Sequence, residues 1–151
     1  MVEQIDVTGG SRIYIGNAEQ LLKEILPEKR VIVISDSNLD RTHHDLIAPY
    51  EHILIGLGEQ AKSLVTLDEI YRQLIELGVD RSTFILGIGG GIVTDIAGFV
   101  ASTYMRGVEF GFITSIRRAH YHHHFGWFRC LGRGRERPQR CCCSRTRRQQ
   151  R

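Results

Sequence analysis

The residues of this chain best placed to do chemistry lie between positions 84 and 106, FILGIGGGIVTDIAGFVASTYMR. Gly87, Gly89, Gly90 and Gly91 follow the apolar run Phe84, Ile85 and Leu86 and lead into Ile92, Ile96, Phe99, Val100 and Thr103, which recur at helical spacing. Glycines at such a place let the backbone turn sharply and keep a Cβ out of a ligand's way. A helix that starts there directs its free N–H groups at the turn, which suits a phosphate. A tight strand-to-helix connection with no ligand uses the same residues, so the glycines alone leave both readings open.

Three further sets of residues carry chemical interest. Asp36 and Asn38 stand just past a β-branched run, where open α/β sheets place ligand-contacting groups. An acid there can hold ribose hydroxyls, although a helix N-cap for 39–47 is the plainer reading. Glu59 and Lys62, in the loop GEQAK, can be a solvated ion pair. Histidines at 120 and 122–124 and cysteines at 130 and 141–143 include metal-ligating types, but contiguous ligands lack the spacing that lets a chain wrap an ion.

The elements that must position these groups follow from periodicity. Strands are expected over 12–15, 31–35, 52–55, 84–86 and 108–113, with helices over 18–25, 39–47, 67–77 and from 92 onward. Pro27 closes the first helix and Gly78 caps the third, while Asp80, Arg81 and Ser82 lead into the central strand. Strands alternating with helices define the α/β class. The expectation is a Rossmann-like, doubly wound, mostly parallel sheet over 1–114, followed by a disordered basic tail over 115–151.

Charge divides the chain at the same place. The formal net charge is +3, yet after Arg117 Glu136 is the one acidic residue among many arginines, and the first 116 residues are net acidic. No apolar run is long enough to span a membrane and no signal segment opens the chain, so a cytoplasmic location is expected. All four cysteines fall in the tail, which argues against a disulfide framework.

Three motifs carry a resemblance. GEQAKSL at 58–64, GIGGGIVTDIAGFVAS at 87–102 and TYMRG at 103–107 are similar, in this order and spacing, to the N-terminal, nucleotide-binding part of 3-dehydroquinate synthase. The resemblance covers roughly residues 2–113, and Thr94 departs from it, since many members have Gly before the aspartate. It implies NAD as cofactor, with Asp36 and Asn38 at the adenosine ribose and Leu57, Gly58, Glu59, Gln60, Ala61 and Lys62 bordering the dinucleotide. Gly90, Gly91, Ile92, Val93 and Thr94 would wrap the pyrophosphate side, with Asp95 near the nicotinamide. Arg106 would reach the substrate phosphate across a homodimer interface. The implied reaction converts a seven-carbon phosphorylated sugar acid to 3-dehydroquinate with elimination of phosphate, in the shikimate pathway, with a divalent metal, zinc or cobalt.

The family's next loop, of the form Leu-Ala-x-x-Asp-Ala-Ser-Val-Gly-Gly-Lys-Asn-Gly, and its metal-binding helical domain are not found in the text from 115 to 151. Back-translation of 125–138, read from the second base of the Phe125 codon, permits most of that loop. The tail therefore reads as a shifted frame beginning between Ile113 and Phe125, which makes the chain an inactive fragment. Two rivals stand beside this reading. One is a fragment of a metal-dependent, glycerol dehydrogenase-like alcohol dehydrogenase. The other is a basic module that binds nucleic acid through its arginines, which the frame shift makes the weaker account.

Overall fold

The structure is a computed structural model that describes residues 3–7, 11–115 and 125–130. One seven-stranded sheet runs through it in the order β1-β2-β7-β6-β5-β3-β4. The strands are β1 (Glu3–Val7), β2 (Ser11–Gly16), β3 (Val31–Asp36), β4 (Glu51–Ile55), β5 (Phe84–Gly89), β6 (Glu109–Ser115) and β7 (Phe125–Cys130). β6, β5, β3 and β4 are mutually parallel and form the Rossmann-like α/β core expected from the sequence. β1, β2 and β7 add an antiparallel wing on the β6 side.

The continuous apolar text of β3 and β5 is explained by cover on both faces. Val31 to Ser35 and all six residues of β5 are buried. On one face Val31, Val33, Phe84, Leu86 and Ile88 pack with Leu21 and Leu22 of helix α1 (Ala18–Ile25). Leu46 and Ile47 of α3 (His44–Ile47) complete that layer. On the other face Ile32, Ile34, Ile53 and Ile85 meet α4 (Leu64–Glu76) through Ile70 and Leu74. They also meet α5 (Gly91–Thr103) through Val93, Ile96 and Ala97.

Several boundaries differ from expectation. The helix expected over 39–47 is two helices, α2 (Ser37–Thr42) and α3, broken at His43, whose φ of −139° is not helical. α2 buries no residue, and the break turns the chain so that both Leu46 and Ile47 reach the core. α4 begins at Leu64 rather than 67, because the Ser63 hydroxyl accepts from the Thr66 N–H and caps it. Gly78 does close α4 in the left-handed conformation, φ 63°. β1 was not anticipated.

The central strand also runs longer than its apolar triplet. Gly87, Ile88 and Gly89 belong to β5, and the turn starts at Gly90. Ser115 belongs to β6, and Phe125–Cys130 pairs between β2 and β6. The remainder of the expected disordered tail, with its histidines at 120 and 122–124 and cysteines at 141–143, lies outside the described residues.

Candidate functional site

Parallel strands bring their C-terminal ends to one edge, so Asp36, Ile55 and Gly89 share it. Asp36 stands opposite Ile55 in the register, and Ser35 opposite Ile88. The buried Ser35 hydroxyl donates to the Ile88 carbonyl at 2.8 Å, tying β3 to β5 directly beneath the glycine turn. The sign of Ser35 in the sequence is a hydroxyl inside an otherwise apolar strand.

The four glycines do two different things. Gly87 and Gly89 face α5, where a Cβ on Gly87 would stand 2.9 Å from the Ala97 Cβ and one on Gly89 2.7 Å from a Val93 methyl. They let the helix lie close on the strand. At Gly90 and Gly91 a Cβ would meet nothing within 4 Å, and both residues are exposed. Gly90 is the N-cap of α5 and offers no side-chain cap to it. The first turn of a 13-residue helix thus presents backbone N–H donors to open space.

Ile92 and Val93 turn their side chains toward the core, which leaves their backbone N–H groups as the part that can touch a ligand. Thr94 sits inside α5, not in the turn. It is 7% exposed and its hydroxyl donates to the Gly91 carbonyl at 3.1 Å.

Asp36 caps α2, its Oδ1 accepting from the N–H groups of Asn38 and Leu39 at 3.0 and 2.8 Å. Among the described residues only that oxygen is engaged. Asn38 is exposed and its side-chain oxygen accepts from Arg41 at 3.0 Å.

The loop after β4 turns at Gly58, φ 83°, into a 3₁₀ turn Glu59–Ala61 anchored by the buried Ala61. Leu57 and Gln60 are exposed. Lys62 reaches across to α5: its Nζ lies 2.9 Å from Asp95 Oδ2 and 3.1 Å from Glu59 Oε1. Asp95 first and Glu59 second hold the ammonium's pKa above its ordinary value. The simple Glu59–Lys62 pair read from the sequence is therefore half of a three-group contact.

A cleft of about 300 Å³ lies behind this loop against α4, with Leu57, Gln60, Ala61, Thr66, Glu69 and Gln73 in its lining. It includes none of Gly90, Gly91 or Asp95.

Arg106 is not brought to this edge. α5 runs back along the sheet for 13 residues, about 20 Å. Arg106 follows it in the turn Tyr104–Arg106, exposed, with φ 69° beside Met105 at φ 48°. Among the described residues no group of three or more His, Cys, Asp or Glu side chains could hold a metal ion.

A parallel sheet whose central strand ends in an open glycine turn, with an uncapped helix beyond and an acid on the neighbouring strand, defines a Rossmann-like α/β domain. Comparison with known proteins narrows the class. The profile described as 3-dehydroquinate synthase N-terminal matches residues 52–120. The 3-dehydroquinate synthase of Natranaerobius thermophilus is 39% identical over 109 residues, 64% of this chain and 30% of that protein. The enzyme of Leptospira interrogans is 44% identical over 86 residues, 57% of this chain and 23% of that protein. The resemblance to the N-terminal part of 3-dehydroquinate synthase holds, and the chain spans about a third or less of the length of these relatives.

The fold agrees with a solved 2-deoxy-scyllo-inosose synthase, TM-score 0.62 at 23% identity, covering 76% of this chain and 36% of that one. A second structure of that enzyme, complexed with carbaglucose-6-phosphate, NAD+ and Co2+, gives TM-score 0.61 at 22% identity, covering 76% of this chain and 35% of that one. Among the described residues no helix is long and apolar enough to cross a membrane.

Proposed function

We propose that the body of the chain, 1–114, is the NAD-binding part of a 3-dehydroquinate synthase. The observation that carries this reading is the uncapped N-terminus of α5 opening from Gly90 and Gly91 into free space, at the sheet edge that also holds Asp36 and Lys62. The first-turn N–H groups suit a diphosphate, which needs several donors close together and no Cβ between them. Asp36 would take the adenosine ribose through its unengaged carboxylate oxygen, with Asn38 beside it. Gly58, Glu59 and Gln60 would border the dinucleotide, and Asp95 would stand toward the nicotinamide. When bound, NAD would supply a hydride acceptor for a substrate alcohol.

The whole enzyme would convert a seven-carbon phosphorylated sugar acid to 3-dehydroquinate with loss of phosphate, in the cytoplasm and as a homodimer. Arg106 would reach across the dimer interface, where its guanidinium would meet the substrate phosphate. The described residues hold no metal site, and this chain is assigned no metal step. Residues 115–151 are read as shifted-frame text, because the family's following loop is missing while its codons are permitted there. On that reading the chain binds NAD without turning over substrate.

Titration calorimetry of the chain with NAD tests the proposal. Saturable binding that is lost in Gly91→Val and weakened in Asp36→Asn is expected, and a folded sample with no heat of NAD binding would overturn it. Sequencing the gene between the Gly111 and Phe125 codons, and reading on in both other frames, tests the frame shift.

A further inference from the structure

We propose that Lys62 and Asp95 form a clasp beside the glycine turn, and that a nucleoside diphosphate seats by taking Lys62 away from Asp95. The inference rests on the dinucleotide reading above and deepens it.

The ammonium of Lys62 is shared between two carboxylates, Asp95 at 2.9 Å and Glu59 at 3.1 Å. Two negative groups against one positive leave an excess of negative charge at the second turn of α5, next to the N–H groups a diphosphate would use. While the clasp is closed, the Lys62 ammonium is neutralised by Asp95, and an arriving anion meets repulsion. Transfer of Lys62 reverses this, because the same ammonium then offsets the diphosphate.

The two sides of the clasp differ in stiffness. Asp95 is carried by α5, whose neighbours Thr94, Ile96 and Ala97 are buried, so its position is held by the core. Lys62 follows a short turn hinged at Gly58 and pinned at Ala61, and its long side chain can swing without moving that turn. The pair is partly open to water, with side chains 34% and 42% exposed. Pairs in that setting are weak and exchange readily. A diphosphate offers more charge and more acceptors than one carboxylate and wins the exchange.

The test uses the full chain with ADP and adenosine as probes, so that the nicotinamide half plays no part. Asp95→Asn is expected to tighten ADP about two- to fivefold, the range of an exposed pair, and to leave adenosine unchanged. Asp95→Ser should behave alike, with circular dichroism matching the parent. Lys62→Met should weaken ADP, and adding Asp95→Asn to it should gain clearly less than the same change gains in the parent. Unchanged or weaker ADP binding in both Asp95 variants would overturn the clasp. A full gain in the Lys62→Met background would also overturn it, since that gain would be plain charge repulsion. If neither probe bound the parent chain, the dinucleotide reading itself would fall and the clasp with it.

Discussion

Gly89 shows how much one hydrogen in place of a methyl does here. Its Cβ would fall 2.7 and 2.8 Å from two side-chain atoms of Val93, a residue buried in the first turn of α5, so the strand and helix could not keep their spacing. Gly89→Ala is expected to lower stability by about 1–3 kcal/mol, the usual cost of overpacking a core. Denaturant unfolding would measure it, and Val93→Ala in the same chain should return part of the loss. A Gly89→Ala protein as stable as its parent would mean that α5 is not held against β5 in this way. Gly91→Ala, by contrast, meets open space and should cost little. Spacing in the sequence does not distinguish the four glycines; neighbouring atoms separate them into two packing positions and two exposed ones.

At the scale of elements, α5 needs a firm end as well as an open beginning. Its last turn is secured by Tyr104, whose hydroxyl donates to the Val79 carbonyl at 2.9 Å and whose ring stacks on Tyr71 with centroids 6.3 Å apart. Directly after it Met105 and Arg106 take positive φ, a conformation that costs ordinary residues energy and is kept only where surroundings impose it. Tyr104→Phe keeps the packing but leaves a buried carbonyl unpaired, so it should destabilise by about 1–3 kcal/mol in the same unfolding measurement. No loss would show that the hydroxyl bond is dispensable and that stacking alone holds the turn. The motif Thr-Tyr-Met-Arg-Gly could be recognised in the text. That its tyrosine works as an anchor depends on Val79, 25 positions away, and no local pattern shows it.

For the molecule as a whole, the sheet divides into a parallel half covered on both faces and an antiparallel wing. β3 and β5 lie inside the parallel half, paired on both sides and buried throughout most of their length. β1 is an edge strand whose described side chains are exposed. Native-state hydrogen exchange should therefore find the slowest amides in β3 and β5 and fast exchange in β1. Amides of β1 as protected as those of β5 would contradict this ordering.

The chain's own text determined its class. Alternation of β-branched runs with 3.6-residue patterns yields parallel strands and crossover helices, because each strand's neighbour in sequence must be reached over one face of the sheet. It also supplied Asp36, Gly90 and Gly91, since strand ends and glycines are visible one residue at a time, while Lys62 and Asp95 became candidates through the motifs shared with 3-dehydroquinate synthase. Tertiary structure decided which of them meet. The register set Asp36 at the same edge as the glycine turn, and the packing of α5 carried Asp95 to Lys62 while taking Arg106 about 20 Å away. Such pairings depend on the crossing of elements far apart along the chain, and local periodicity holds no record of that.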